Sequence, residues 1–190
     1  MVAVDLDENL IPSTSAAGWR IGTRLVECGE LLRGATEVEN RPGFQLNNAI
    51  NRNVGVLVVR NTFPYKSGNT TIIFGADVVR LDFNSAGELF CIWVFEGYRG
   101  RAFGRIRIGS SLAEVRSLFS VFYDNGDEMY YPDQELSPSA PSGIAFVAAA
   151  EGTRDTPILG ISIHDWGIMH CPLIDKTEGA RGDTANRPRE

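Results

Sequence analysis

The chain has 190 residues, of which 43% are hydrophobic and 22% charged, so it can form an ordinary globular core. Acidic residues outnumber basic ones by 24 to 18, which argues against general nucleic-acid binding. The N-terminus lacks the basic and apolar regions of a secretory signal, and no apolar run is long enough to cross a bilayer. We therefore expect a soluble, cytoplasmic protein without nucleic-acid or membrane partners.

Two segments, 20–32 and 107–119, resemble each other and align without a gap. Each begins with Arg-Ile-Gly and a hydroxyl residue, a pattern that predicts a tight turn followed by a capped helix. In the second segment Ser111 and Glu114 form a capping box. In the first segment Arg24 replaces that serine, so Thr23 is expected to cap its helix alone. This self-similarity predicts two related units.

Runs of apolar residues predict antiparallel strands after each helix. The predicted strands are 54–59, 70–74, 79–83 and 89–95 in the first unit and 121–123, 128–131, 144–146 and 158–163 in the second. The pair Asn125-Gly126 predicts a tight hairpin in which both residues have positive φ.

The predicted fold class is α+β and mostly β, with two helix-then-antiparallel-sheet units packed side by side as one compact domain. Residues 1–97 form the first unit, which contains an inserted hairpin, and residues 98–171 form the second. Residues 172–190 are polar and are expected to be a flexible tail. The glycine- and arginine-rich stretch 97–107 is interpreted as the connector between the units.

Between Arg116 and Arg154 the chain contains no lysine or arginine, yet it holds six carboxylates, which equal the whole charge excess. Carboxylates select and steer a basic partner, and tyrosines are frequent interface anchors. The predicted partner-binding residues are Tyr123, Asp124, Asp127, Glu128, Tyr130, Tyr131, Asp133 and Glu135. The arginines of the connector are expected to neutralise part of this acidic hairpin. A solvated hairpin that only maintains solubility is the alternative.

Both histidines of the chain, His164 and His170, lie near Asp165 and Cys171. Their spacing matches no standard metal motif, so a strand end closed by Trp166 is the preferred interpretation. The acidic hairpin lacks the ligand spacing of a calcium loop, and the sequence has no nucleophile elbow or P-loop. We therefore expect no metal, no cofactor and no enzymatic activity. A small enzyme with a site near His164 and Asp165 is the alternative.

The segment 106–119 contains Ile-x-x-Gly-Ser-Ser-x-x-Glu-Val. It resembles a pattern found in the β-lactamase-inhibitory-protein and small outer-membrane lipoprotein group, and in many bacterial immunity proteins. The resemblance implies a helix-plus-sheet binding fold and transfers no binding residues. Together with the acidic hairpin, it leads us to expect an immunity-type protein that binds and blocks a bacterial toxin with a basic cleft. A ligand-binding or structural module remains a further alternative, and the oligomeric state is left open.

Overall fold

The structure is a computed structural model, and it describes residues 4–53, 55–62, 68–150, 153 and 155–169. In chain order the elements are β1 (Ser15–Ala16), β2 (Trp19–Arg20), a 3-10 turn (Leu25–Cys28), α1 (Gly29–Leu32), β3 (Thr36–Glu39), α2 (Leu46–Asn51), β4 (Val56–Arg60), β5 (Thr70–Phe74), β6 (Val79–Phe83), β7 (Leu89–Val94), α3 (Leu112–Arg116), β8 (Val121–Asp124), β9 (Met129–Pro132), β10 (Ile144–Val147), β11 (Gly160–His164) and α4 (Trp166–Met169). The predicted tail, 172–190, and the tip of the inserted hairpin, 63–67, lie outside the described residues.

The predicted α+β, mostly-β fold is confirmed. Strands β3 to β11 form one nine-stranded sheet in the order β3-β4-β5-β6-β7-β11-β10-β9-β8, while β1 and β2 form a separate pair. All pairs in the large sheet are antiparallel except β3–β4. Strands of the first predicted unit fill one half of the sheet, and strands of the second fill the other. No helix in the described part of the chain is long and apolar enough to span a membrane.

The two repeated segments make the same backbone contacts, the first with the start of β7 and the second with the residues just before β11. The N–H of Gly22 donates to the C=O of Leu89 at 2.8 Å, and that of Gly109 donates to the C=O of Ile158 at 2.8 Å. In each copy the strand residue donates back to the C=O of the residue after the glycine. The two glycines have φ of 87° and 85°, the left-handed conformation that glycine adopts without strain. The likeness between the segments therefore extends to their geometry.

The seam between the two halves is symmetric. Trp93 of β7 lies opposite Ser162 of β11. Leu89 and Ile158 make equivalent hydrogen bonds, so they are corresponding residues of the two copies. Trp93 lies four residues after Leu89 and Ser162 lies four residues after Ile158, so Trp93 and Ser162 also correspond. The flanking pairs are apolar, as in Ile92 opposite Ile163. A pseudo-twofold axis therefore passes between Trp93 and Ser162, as it would through an isologous interface.

The helix starts differ between the two copies. The Ser111 hydroxyl accepts from the N–H of Glu114 at 3.3 Å, and the Glu114 carboxylate accepts from the N–H of Ser111 at 2.7 Å, which confirms the capping box. The prediction that Thr23 caps the first helix alone is wrong. There the turn begins after Arg24, whose N–H donates to the Glu27 carboxylate at 2.9 Å. The first copy keeps only the hydrogen bond to the glutamate carboxylate, because Glu27 is present but Arg24 replaces the serine.

One face of the sheet packs against the main core, which includes Leu81, Ile92, Phe146, Leu112 and Val115. These side chains are fully buried. The alternation of β6, in which every second residue is buried, directs its apolar side chains to this face. The short helices α1 and α3 and the N-terminal segment cover the core from the other side. The sheet therefore presents its opposite face for a functional site.

That opposite face is called the open face below. At the end of the sheet formed by β3 to β5 it is covered by α2, whose Ile50 packs with Leu57, Val59 and Ile73. Beyond α2, cavities on this face are lined by side chains from β6, β7, β11 and β9. The part of the open face that α2 leaves uncovered therefore includes strands of both units.

The connector, 97–107, packs against the N-terminal segment. Arg99 forms an ion pair with Asp7 at 2.7 Å, and Arg105 donates to the Ser117 hydroxyl at 2.5 Å. Among the described residues, none of the ion pairs joins a connector arginine to the acidic hairpin. The expected internal neutralisation of the hairpin is therefore not found.

Candidate functional site

The acidic stretch forms the predicted β8–β9 hairpin, but its turn differs from the expected one. The positive φ belongs to Glu128, at 57°, and to neither residue of the Asn-Gly pair, so the expected tight turn is wrong. Residues 125–128 connect the strands instead. The Asp124 carboxylate accepts from the N–H of Gly126 at 2.7 Å and from that of Asp127 at 3.1 Å. An aspartate that binds the following backbone sets this wider turn.

The three tyrosines of the hairpin are divided between the two faces of the sheet. Tyr123 and Tyr130 are paired and lie on the core face, with ring centroids 4.9 Å apart, whereas Tyr131 lies on the open face. Tyr130 is 3% exposed, and its hydroxyl is within 3.1 Å of the C=O of Ala149 and 2.8 Å of that of Ala150. Because neighbouring strand residues point to opposite faces, Tyr130 cannot be a surface anchor, and that expectation is corrected.

The predicted carboxylates also have different surroundings. The Asp127 carboxylate accepts from the Tyr131 hydroxyl at 2.7 Å, and burial together with this carboxylate raises the pKa of Tyr131 above its usual range. Asp133 accepts from the N–H of Glu135 at 3.0 Å in a local turn, which brings these two acids together. Glu128 is exposed at the hairpin tip. The structure therefore forms two acidic groups, one at the tip and one at the opposite end of β9.

A row of aromatic rings crosses the open face between these two acidic groups. Phe122 stacks on Tyr131 with centroids 5.8 Å apart, and Tyr131 meets His164 edge-on at 5.8 Å. His164 stacks on Trp166 at 4.4 Å, and Trp166 lies 6.0 Å from Phe90. Of this row, only Tyr131 was among the predicted partner-binding residues. Phe122 could have been found from strand alternation, because it shares a face with Tyr131.

His164 is held within this row as a neutral ring. It is 3% exposed, and its Nδ1 lies 3.1 Å from the Ser162 hydroxyl. Burial lowers the pKa of His164 to about 4, so the ring is uncharged at neutral pH. The neighbouring Asp165 carboxylate accepts from the N–H of Gly167 at 2.9 Å. This arrangement orients an aromatic surface and does not favour a general base facing solvent.

Next to His164, on the same face, lie Cys91 and Asp82, because the strand register places these three residues side by side. The Asp82 carboxylate accepts from Trp93 Nε1 at 2.7 Å and from the Thr71 hydroxyl at 2.5 Å. Burial raises the pKa of Asp82 and raises that of the Cys91 thiol well above its usual value. A protonated, fully buried thiol is a poor nucleophile, so the role of Cys91 is to pack in the interior.

Two cavities on this face adjoin the aromatic row. The central cavity, of about 420 Å³, is lined by Phe44, Val59 and Trp93 from the first predicted unit and by Asp127 and Trp166 from the second. Because both ends of the sheet contribute to one cavity, the sheet is curved and the hairpin tip faces α2.

The second cavity is a groove of about 640 Å³ that runs along the aromatic row on the side of Asp133 and Glu135. Its walls combine the rings of Phe122, Tyr131 and Trp166 with the carboxyl residues Asp133 and Glu135. Phe122 is 47% exposed and stacks on Tyr131, so this end of the aromatic row is open to contact from outside. Aromatic faces beside carboxylates suit a lysine or arginine side chain.

Among the described residues, no group of three histidine, cysteine, aspartate or glutamate side chains is placed to hold a metal ion. His170 and Cys171 lie outside the described residues. A scan against protein-family models, a search of curated proteins and a search of solved structures gave no match to this chain.

Proposed function

We propose that this chain is a non-catalytic binding protein of the immunity type, which covers a basic site on a bacterial toxin. The observation that carries the proposal is the aromatic groove of the open face, bordered by Asp133 and Glu135 at one end and adjoining Asp127 at the other. The aromatic rings supply contact area, and the carboxylates select a partner of opposite charge.

The charge distribution supports a basic partner. The stretch 117–153 contains no lysine or arginine, so its carboxylates are not neutralised by basic neighbours in the sequence. The ion pairs among the described residues involve other parts of the chain. Such a field raises the rate of encounter with a basic surface and weakens as salt is added.

The geometry also supports binding in preference to catalysis. His164 is neutral and lies beneath Trp166, and Cys91 is a buried, protonated thiol. The toxin would be inhibited by occlusion, because a partner seated on the groove and the hairpin has its own basic site covered.

The proposal is tested by comparing variants for retention of a basic partner on immobilised protein. Asp133→Lys with Glu135→Lys should weaken the affinity at least about tenfold, and Phe122→Ala with Trp166→Ala should do likewise. Glu30→Lys, on the exposed surface of α1, is the matched control and should leave the affinity unchanged.

The functional readout is growth of cells that produce the retained partner. Growth should be restored by co-expression of the unaltered protein and of the Glu30→Lys control, but not by either groove variant. Retention and rescue that survive both groove variants would contradict the proposal.

A further inference from the structure

We propose that the outer edge of β8 is a strand-addition site, at which an extended basic segment of the partner joins the sheet. The inference rests on the proposed function for its choice of a basic protein as the occupant. β8 is the last strand in the order of the nine-stranded sheet, so within the described chain one of its edges has no neighbouring strand. An extended peptide can add to such an edge through main-chain hydrogen bonds.

The hydrogen-bond pattern shows which backbone groups face outward. The N–H of Asp133 donates to the C=O of Ser120 at 2.8 Å, at the end of the β8–β9 ladder. Bonded and non-bonded pairs alternate along an antiparallel ladder. Phe122, two residues after Ser120, therefore bonds to β9, whereas Val121 and Tyr123 direct their N–H and C=O groups away from it. Pro132, which has no N–H, lies opposite Val121 as this alternation requires.

The edge of β8 carries fewer charges than the opposite edge of the sheet, since Asp124 is the one charged residue of β8 while β3 has two. Natural edge strands commonly carry lysine or other charges that discourage pairing. At the opposite edge of the sheet, β3 holds Glu37 in an ion pair with Arg60 at 2.8 Å and Glu39 in one with Arg41 at 2.6 Å. β8 has instead an exposed Phe122 and no basic residue. The two edges of one sheet thus differ in how open they are to addition.

Charge identifies the occupant as a basic chain. Asp127 and Glu128 lie beyond one end of β8, and Asp133 and Glu135 lie beside the other. A second copy of this protein would bring two acidic hairpins together, and like charges placed across an interface oppose association. An added strand with arginine or lysine would meet carboxylates at both ends, while its apolar side chains could cover Phe122.

The experiment measures backbone amide hydrogen exchange by NMR on the full chain. In the free protein the amides of Val121 and Tyr123 should exchange fast, while those of Phe122 and Asp124 should be protected. Adding a short peptide of alternating arginine and valine should slow exchange at Val121 and Tyr123 at least about tenfold. A glutamate–valine peptide of equal length is the control and should have no effect.

A matched pair of variants provides a second measurement. Val121→Pro removes an outward N–H without a ladder bond, whereas Val121→Ala shortens the side chain and keeps the N–H. Peptide affinity should fall at least about tenfold in the proline variant and stay near the original in the alanine variant. If the proline variant fails to fold, the exchange measurement on the unaltered protein decides.

Three results would overturn strand addition. The peptide could bind and change tryptophan fluorescence without protecting Val121 and Tyr123, which would leave the proposed function intact. Both amides could be protected in the free protein with a dimeric mass, which would make a second copy the occupant. Finally, the basic peptide could leave both exchange rates unchanged, in which case the groove variants decide separately whether the proposed function survives.

Discussion

The Tyr131 hydroxyl donates a 2.7 Å hydrogen bond to the carboxylate of Asp127 and so ties the tip of the acidic hairpin to β9. Without this bond, the tip would be held only by the turn that Asp124 organises. The bond also sets where a carboxylate meets the aromatic row. It connects the two features on which partner binding is proposed to depend.

Replacing Tyr131 with phenylalanine should therefore lower the free energy of unfolding by about 1 kcal/mol, the usual cost of a lost side-chain hydrogen bond. Urea denaturation at neutral pH measures the change. Tyr123→Phe is the matched control in the same hairpin, because no hydrogen bond from the Tyr123 hydroxyl is found among the described residues. Equal losses in the two variants would show that the bond contributes nothing specific.

His164 should make stability fall as the pH is lowered. Its pKa is about 4 in the folded protein, against an unfolded value of 6.5. As the pH falls, the unfolded chain therefore binds the proton before the folded protein does. The contribution of His164 to the free energy of unfolding is fully present above pH 6.5 and is lost as the pH falls through about 4. The shift corresponds to about 3 kcal/mol. His164→Phe keeps an aromatic ring in the row and should remove this slope, as measured by urea unfolding at a series of pH values.

Asp82 should make stability fall as the pH is raised, which is the opposite of the effect of His164. Burial raises its pKa in the folded protein above the usual aspartate value of 3.8. Its contribution is therefore fully present below pH 3.8 and is lost as the pH rises through the raised folded value. Asp82→Asn should remove this loss, so the variant's unfolding free energy should rise more steeply with pH than that of the unaltered protein. A parallel pH profile for the two proteins would show that Asp82 titrates normally.

The two helix starts permit a paired test of capping. Ser111→Ala should destabilise the protein by about 1 kcal/mol, because the hydroxyl accepts from the N–H of Glu114. Thr23→Ala, at the corresponding turn of the first segment, should cost much less since Thr23 is not the cap. Thermal and urea denaturation measure both changes. A larger loss for Thr23→Ala would contradict the assignment of Arg24 as the cap.

Local signals predicted most of the strands. The strand predicted at 79–83 is β6, and the turn between it and β7 is held by the Asn84 side chain, which accepts from the N–H of Ala86 and of Glu88. The type of the acidic turn could not be predicted, because the Asp124 carboxylate competes with the intrinsic preference of Asn-Gly. A short local pattern does not reveal which backbone conformation such a competition favours.

The site itself was predicted only in part. The alternation of side chains along β9 was enough to predict that Tyr130 and Tyr131 lie on opposite faces. The prediction grouped the two residues because it was based only on the composition of the acidic stretch. The contacts of His164 with Tyr131 and of Trp166 with Phe90 join residues far apart in the chain. They depend on the strand order β7-β11-β10-β9, which no local pattern specifies. The aromatic row is therefore a property of topology.

The pairing of Trp93 with Ser162, each the counterpart of the other, bears on how this chain arose. The final strand of a single ancestral repeat could have paired with the same strand of an identical molecule about a twofold axis. Fusion of two gene copies would make that homodimer one polypeptide and free each half to diverge. The second half could then accumulate the acidic and aromatic residues of a specialised surface, while the first acquired β3 and α2.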